Sequence, residues 1–71
     1  MTNTYGAIAQ NIKKYRKTRS MSQESLAAAA GLSKNYISLI ETGQEKIGMR
    51  AFIRIKDALG VSASQLFGEQ N

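Results

Sequence analysis

The sequence predicts an all-α fold of five short helices in one domain covering residues 1–71. Apolar residues recur three and four positions apart, the period of a helix face, and nowhere alternate at the strand period of two. Gly31, Gly43, Gly48 and Gly60 punctuate the helical runs, and Gly just past such a run is the favoured stop. There is no Pro and no Cys, so the chain lacks both a helix breaker and the disulfides that small folds often use for support.

The first helix, about residues 6–18, follows from Ile8, Ile12 and Tyr15 at i, i+4 and i+7. A second, about 22–30, opens on Ser22 as N-cap with Gln23 and Glu24 in its first turn. Its run Ala27-Ala28-Ala29-Ala30 combines high helix propensity with a slim profile that lets another helix cross closely. The third, about 33–42, has Ser33 as cap and Ile37 with Ile40 as its inner face. The fourth, about 49–59, turns Phe52, Ile55 and Leu59 inward. Ser62 and Gln65 then have the spacing of a capping box, which starts a last helix at about 62–67.

Charge narrows the partner. Ten Lys and Arg against five acids give a net charge of +5, the footprint of a small domain that meets a polyanion. Five of the ten, Lys13, Lys14, Arg16, Lys17 and Arg19, fall within seven residues. Two charges nevertheless interrupt apolar lines: Arg16 lies four residues after Ile12, and Glu41 four after Ile37. Buried charges persist when paired. Arg16 and Glu41 are therefore expected to form an internal ion pair and to be structural residues.

Function is concentrated in SQESLAAAAGLSKNYISLIE, residues about 22–41. A short helix, a turn containing Gly and a second helix form the helix-turn-helix pattern, which seats its second helix in the DNA major groove. Gly31 suits the left-handed backbone of such a turn, and Leu32 can fill the angle between the helices. With Ile37 and Ile40 inward, Lys34, Asn35, Ser38 and Leu39 form an outward stripe. Lys34 can donate to guanine O6 and N7, Asn35 can pair with adenine N6 and N7, and Leu39 can pack on thymine methyls. Gln23 is expected to anchor a phosphate, because a helix N-terminus offers free N–H groups and the positive end of a dipole. Lys46 and Arg50, flanking the loop before the fourth helix, are further phosphate candidates.

The same residues resemble the Cro and repressor type of helix-turn-helix (lambda repressor-like, XRE family), found in phage regulators and in controller proteins of restriction–modification systems. The resemblance rests on Ser22-Gln23-Glu24, Leu26-Ala27, Ala30-Gly31-Leu32, Ile37, Ile40-Glu41, Gly43, Ala58 to Ser62 and Leu66-Phe67, in order, across about residues 7–67. It implies a compact five-helix domain that reads DNA through Lys34, Asn35 and Leu39, with Tyr36 touching backbone or thymine and Gln23 fixing register. The chain departs from that pattern at Lys46-Ile47-Gly48-Met49, where the family often carries Pro and small polar residues.

One recognition helix covers only about four to five base pairs, so specific affinity calls for two modules on half-sites about one helical turn apart. The sequence thus implies a homodimer on a pseudo-palindromic double-stranded operator, with Val61, Ala63, Leu66 and Phe67 as the candidate seam or, equally, as the closure of the monomer core. A transcriptional regulator is expected, bacterial or phage-encoded and cytoplasmic, without a small-molecule effector; an antitoxin-type interaction module is the alternative. No apolar run approaches the ~20 residues of a membrane span. The chain has no His or Cys, and Glu24, Glu41, Glu45, Asp57 and Glu69 are scattered. That leaves no zinc or cofactor site and no general base with an orienting partner, so no enzyme is expected.

Overall fold

A computed structural model describes residues 4–68 and contains five helices. They are α1 (Thr4–Thr18), α2 (Gln23–Ala30), α3 (Lys34–Glu41), α4 (Met49–Leu59) and α5 (Ala63–Phe67). No strand is present among the described residues. The first helix begins two residues before the Gly6 expected from apolar spacing, with the polar Thr4 and the half-exposed Tyr5 in its opening turn.

Side-chain chemistry sets most of the boundaries. The hydroxyls of Ser22, Ser33 and Ser62 accept from the backbone N–H groups of Ser25, Tyr36 and Gln65, each three residues on. Ser62 and Gln65 complete a reciprocal capping box, since the Ser62 N–H donates to Gln65 Oε1 at 2.8 Å. Gly31 ends α2 at φ 70°, where the Gly31 and Leu32 amides donate to the carbonyls of Ala28 and Ala27. A Cβ at position 31 would also approach Arg54 Nη1 at 3.2 Å. The positive φ makes glycine the residue for that turn, while the exposed Arg54 side chain could move aside.

The end of α1 carries no glycine. Ser20 takes the left-handed conformation instead, at φ 56°. The Ser20 amide donates to Lys17 O at 2.9 Å, and the Met21 amide reaches back to Arg16 O at 3.0 Å. This is the hydrogen-bond pattern of a Schellman stop, at a backbone cost of order 1–2 kcal/mol for a residue with a Cβ. The reversal delivers the chain at once to the Ser22 cap.

The core is a single apolar cluster that includes Ile8 and Ile12 of α1, Leu26, Ala27 and Ala30 of α2, Ile37 and Ile40 of α3, Phe52, Ile55 and Leu59 of α4, with Val61 and Leu66. Small residues on α2 let α4 cross it closely, and α5 lies against α1. Asn11 Nδ2 donates to Leu66 O at 2.9 Å and fixes the end of α5. Val61 and Leu66 are buried, at 7% and 0% exposure. Of the four seam candidates these two close the monomer core, because the short α5 folds back onto α1.

Candidate nucleic-acid interface

The recognition helix of the pattern is α3, and its orientation is fixed from beneath by Ile37 and Ile40, exposed by 0% and 2%. With that face buried, Lys34 and Asn35 stand fully on the outside of the first turn. Ser38 and Leu39, one turn further on, are half-buried, so the lower part of the stripe is less open than its spacing suggests. Lys34 therefore presents three donors and Asn35 both a donor pair and an acceptor to whatever faces the start of α3.

Tyr36 is turned aside. Its ring packs against the core, and its hydroxyl accepts from the Gly48 N–H at 3.3 Å. This ties α3 to the start of α4 and leaves the phenolic proton able to donate. Around it lies a shallow cleft lined by Gly31, Leu32, Ser33, Gly48 and Arg50 among others. The α4 N-terminus opens into this cleft: Gly48 occupies the N-cap position and supplies no side-chain hydrogen bond. The first-turn N–H groups of α4 and the exposed Arg50 thus form an electropositive edge beside the recognition helix. Lys46 is exposed on the preceding loop, with its ammonium 5.5 Å from the centre of the Tyr5 ring.

On the other side of α3, the two core-line charges meet. Arg16 Nε donates to Glu41 Oε2 at 2.8 Å and Nη2 to Oε1 at 3.1 Å, a bidentate pair. The pair is sequestered, with 10% and 3% of the two side chains exposed. Arg16 Nη1 also donates to Met21 O at 2.8 Å, and Gln23 Nε2 donates to Glu41 Oε1 at 3.1 Å. No buried side-chain polar atom among the described residues lacks a partner, the condition for a buried ionic group to be tolerated. Gln23 is therefore not a free side chain at a helix tip. Sequence reasoning missed this bond and the Tyr36–Gly48 bond, because each joins residues from different elements and neither leaves a periodic trace.

Comparison with known proteins decides the family. The helix-turn-helix family HTH_3 matches residues 12–66. The chain belongs to this helix-turn-helix family. Relatives include the control protein C.MunI of Mycoplasma sp, 37% identical over 63 residues, with 87% of this chain and 85% of the relative covered. C.SmaI of Serratia marcescens is 32% identical over 63 residues, covering 89% of this chain and 75% of the relative. The crystal structure of the controller protein C.AhdI from Aeromonas hydrophila superimposes with a TM-score of 0.83 at 26% identity, covering 87% of this chain and 94% of that one. The HTH_3 chain is thus a DNA-binding regulator by family and not a member of an enzyme family. Among the described residues no helix is long and apolar enough to cross a membrane, and no cluster of three or more potential metal-ligating side chains is found.

Proposed function

We propose that this HTH_3 protein is a sequence-specific transcriptional regulator that binds a pseudo-palindromic operator as a homodimer, with α3 in the major groove. The observation that carries the reading is the exposed pair Lys34–Asn35 on the first turn of a helix whose opposite face is locked into the core. First-turn residues of such a helix reach base edges, and a bidentate pair contributes about 1–3 kcal/mol of base discrimination. Leu39 and Ser38 contact bases or sugar further along. Gln23 on one flank, and Arg50, Lys46 and the start of α4 on the other, hold phosphate. Tyr36 serves this second edge through its hydroxyl. The similarity to the restriction–modification controller protein C.AhdI over most of its length, beside that to the control proteins C.MunI and C.SmaI, favours the controller of a restriction–modification system as the biological setting. Control then rests on protein concentration and cooperative occupancy, without a small-molecule effector.

The second copy docks on an apolar face adjoining α4 and α5. Met49, Ile53, Tyr5 and Phe67 are exposed by 73%, 46%, 46% and 41%. Met49 and Ile53 lie one turn apart on α4, and Phe67 stacks on Phe52 with ring centres 5.3 Å apart. Tyr5, Met49, Phe52 and Phe67 line one groove with Ile8 and Ile47. Contiguous exposed apolar patches above a few hundred Å² mark interaction sites, and a stable pair needs about 800 Å² from each partner. Phe67 from the sequence-derived seam belongs to this face, whereas Ala63 packs partly into the core.

Selection of bound sequences from random duplex DNA tests the whole reading. An inverted repeat with half-sites about 10 base pairs apart is expected. Recovery of no preferred sequence would overturn it, and sedimentation of a one-protomer complex on that duplex would remove the homodimer.

A further inference from the structure

We infer that Glu41 is a positioning residue for DNA binding: it fixes which end of the Gln23 amide faces a DNA phosphate. The inference rests on the reading of Gln23 as a phosphate anchor. Both oxygens of the Glu41 carboxylate accept from Arg16, so in this arrangement the group acts as an acceptor. The end of the Gln23 amide that meets Oε1 at 3.1 Å must therefore be the NH2. One of its two protons is spent on Glu41. The other is held in the same plane, on the nitrogen, at the first residue of α2. A phosphate likewise accepts only, so an amide free to flip would present its carbonyl half of the time and repel it. With Glu41 in place the donor end is selected before DNA arrives, which cuts the ordering cost of the contact.

The surrounding bonds make this a fixed frame and not a single flexible contact. Arg16 grips Met21 O at 2.8 Å while Glu41 grips the Gln23 side chain. The Ser22 cap that begins α2 lies between them. Glu41 closes the last turn of α3, the helix whose first turn carries Lys34 and Asn35. One carboxylate thereby sets the start of α2 relative to the proposed reading helix. A buried carboxylate gains from further donors on its lone pairs, and here the donor is a residue at the proposed interface.

The test uses the selected duplex carrying a single neutral methylphosphonate at each backbone position in turn. Wild-type protein is expected to lose affinity at the phosphate that Gln23 holds. Gln23→Ala should lose that sensitivity and bind the unmodified duplex about tenfold more weakly. Arg16→Met/Glu41→Leu replaces the buried pair by apolar residues, a class of change that often keeps a fold intact. It should shift the scan part of the way towards that of Gln23→Ala, with a reduced sensitivity at the same phosphate, and adding Gln23→Ala to it should remove what sensitivity is left. The dependence on salt should keep its slope in all of them, because a neutral amide releases no counterion. A folded double variant whose scan matches wild type would overturn the role of Glu41. A Gln23→Ala scan identical to wild type would instead overturn the anchor itself, and the inference with it. If the double variant does not fold, the side-chain amide signals of Gln23 in wild-type protein decide. Two well-separated protons, one of which shifts on adding the duplex, support the frame. A pair at the position of a solvated glutamine refutes it.

Discussion

The two helix starts that flank α3 are built in opposite ways. At α2 the backbone is capped by Ser22, the preceding carbonyl is gripped by Arg16, and the first side chain is held by Glu41. At α4 the cap is Gly48, with no side-chain acceptor, and its amide leans on the Tyr36 hydroxyl at 3.3 Å. One start is completed from inside the protein, and the other leaves N–H groups to be completed from outside. The difference assigns them separate tasks. On the proposed function, the α2 end is a rigid reference for the reading helix that offers a phosphate one oriented side chain, whereas the α4 end, beside Arg50, would hold an anion on donors of its own backbone. The first should fail when its internal charges are unbalanced, the second when an internal anion occupies it.

The largest effect is expected at the internal frame. Arg16→Met leaves the Glu41 carboxyl, 3% exposed in the wild-type pair, with only the Gln23 amide as partner. Removing one member of a buried pair costs about 3–5 kcal/mol, a large part of the stability of a small domain. Thermal unfolding should show a marked fall in midpoint, and Arg16→Met/Glu41→Leu should recover most of it. A single variant as stable as wild type would show that the α2 end does not depend on its charges.

Next come the residues between the two ends. Lys34→Ala and Asn35→Ala should each weaken operator binding by about 1–3 kcal/mol and relax the preference at one base pair per half-site. Their melting curves should stay close to wild type, since both side chains are exposed and neither appears in the core. Equal weakening on every duplex would assign them to phosphate and leave base reading elsewhere.

The contrast between the ends also explains what could be read from the chain. Ser22, Ser33 and Ser62 announce their helices because a cap acts over three residues, within one element. Arg16 and Glu41 were legible as a pair because each breaks an apolar line and burial demands a partner. Ser20 was not, since its left-handed turn comes from the chain reversal and not from a residue that favours it. The Gln23–Glu41 and Tyr36–Gly48 bonds link positions 18 and 12 residues apart, and no local rule reports such distances. The apolar face was half legible. Phe67 stood out, but Met49 and Ile53 did not, because the inward stripe of α4 is drawn by Phe52, Ile55 and Leu59 and a second apolar face beside it leaves no separate period in so short a helix.

A smaller loss is expected from Ser22→Ala. It removes the acceptor for the Ser25 amide at 2.9 Å, a change worth about 1 kcal/mol at a typical N-cap. The Arg16 and Glu41 contacts should keep α2 in place, so a modest drop in melting midpoint with unchanged base preference is the expected result. Altered preference would mean that the cap itself, and not the ionic frame, sets the position of the reading helix.

The smallest change in stability should carry the most information about the α4 end. Gly48 has an extended backbone, with φ −82° and ψ 163°, which any residue can adopt, and a Cβ there meets nothing within 4 Å. Gly48→Asp supplies the missing cap acceptor and places a negative charge at the positive end of the helix dipole. The expected gain is a few tenths of a kcal/mol, set by the small difference between Gly and Asp at an N-cap. Gly48→Ser should give a similar gain without the charge. The two should then part in DNA binding. If α4 offers its first-turn amides and Arg50 to a phosphate, the aspartate fills that edge, weakens affinity on all duplexes alike and flattens the salt dependence, while the serine variant binds nearly as wild type. Stability and affinity moving in opposite directions in Gly48→Asp alone is the signature of an end left open for an outside anion. If both variants bind as wild type does, α4 is not a phosphate edge, and the asymmetry between the two helix starts is a matter of folding only.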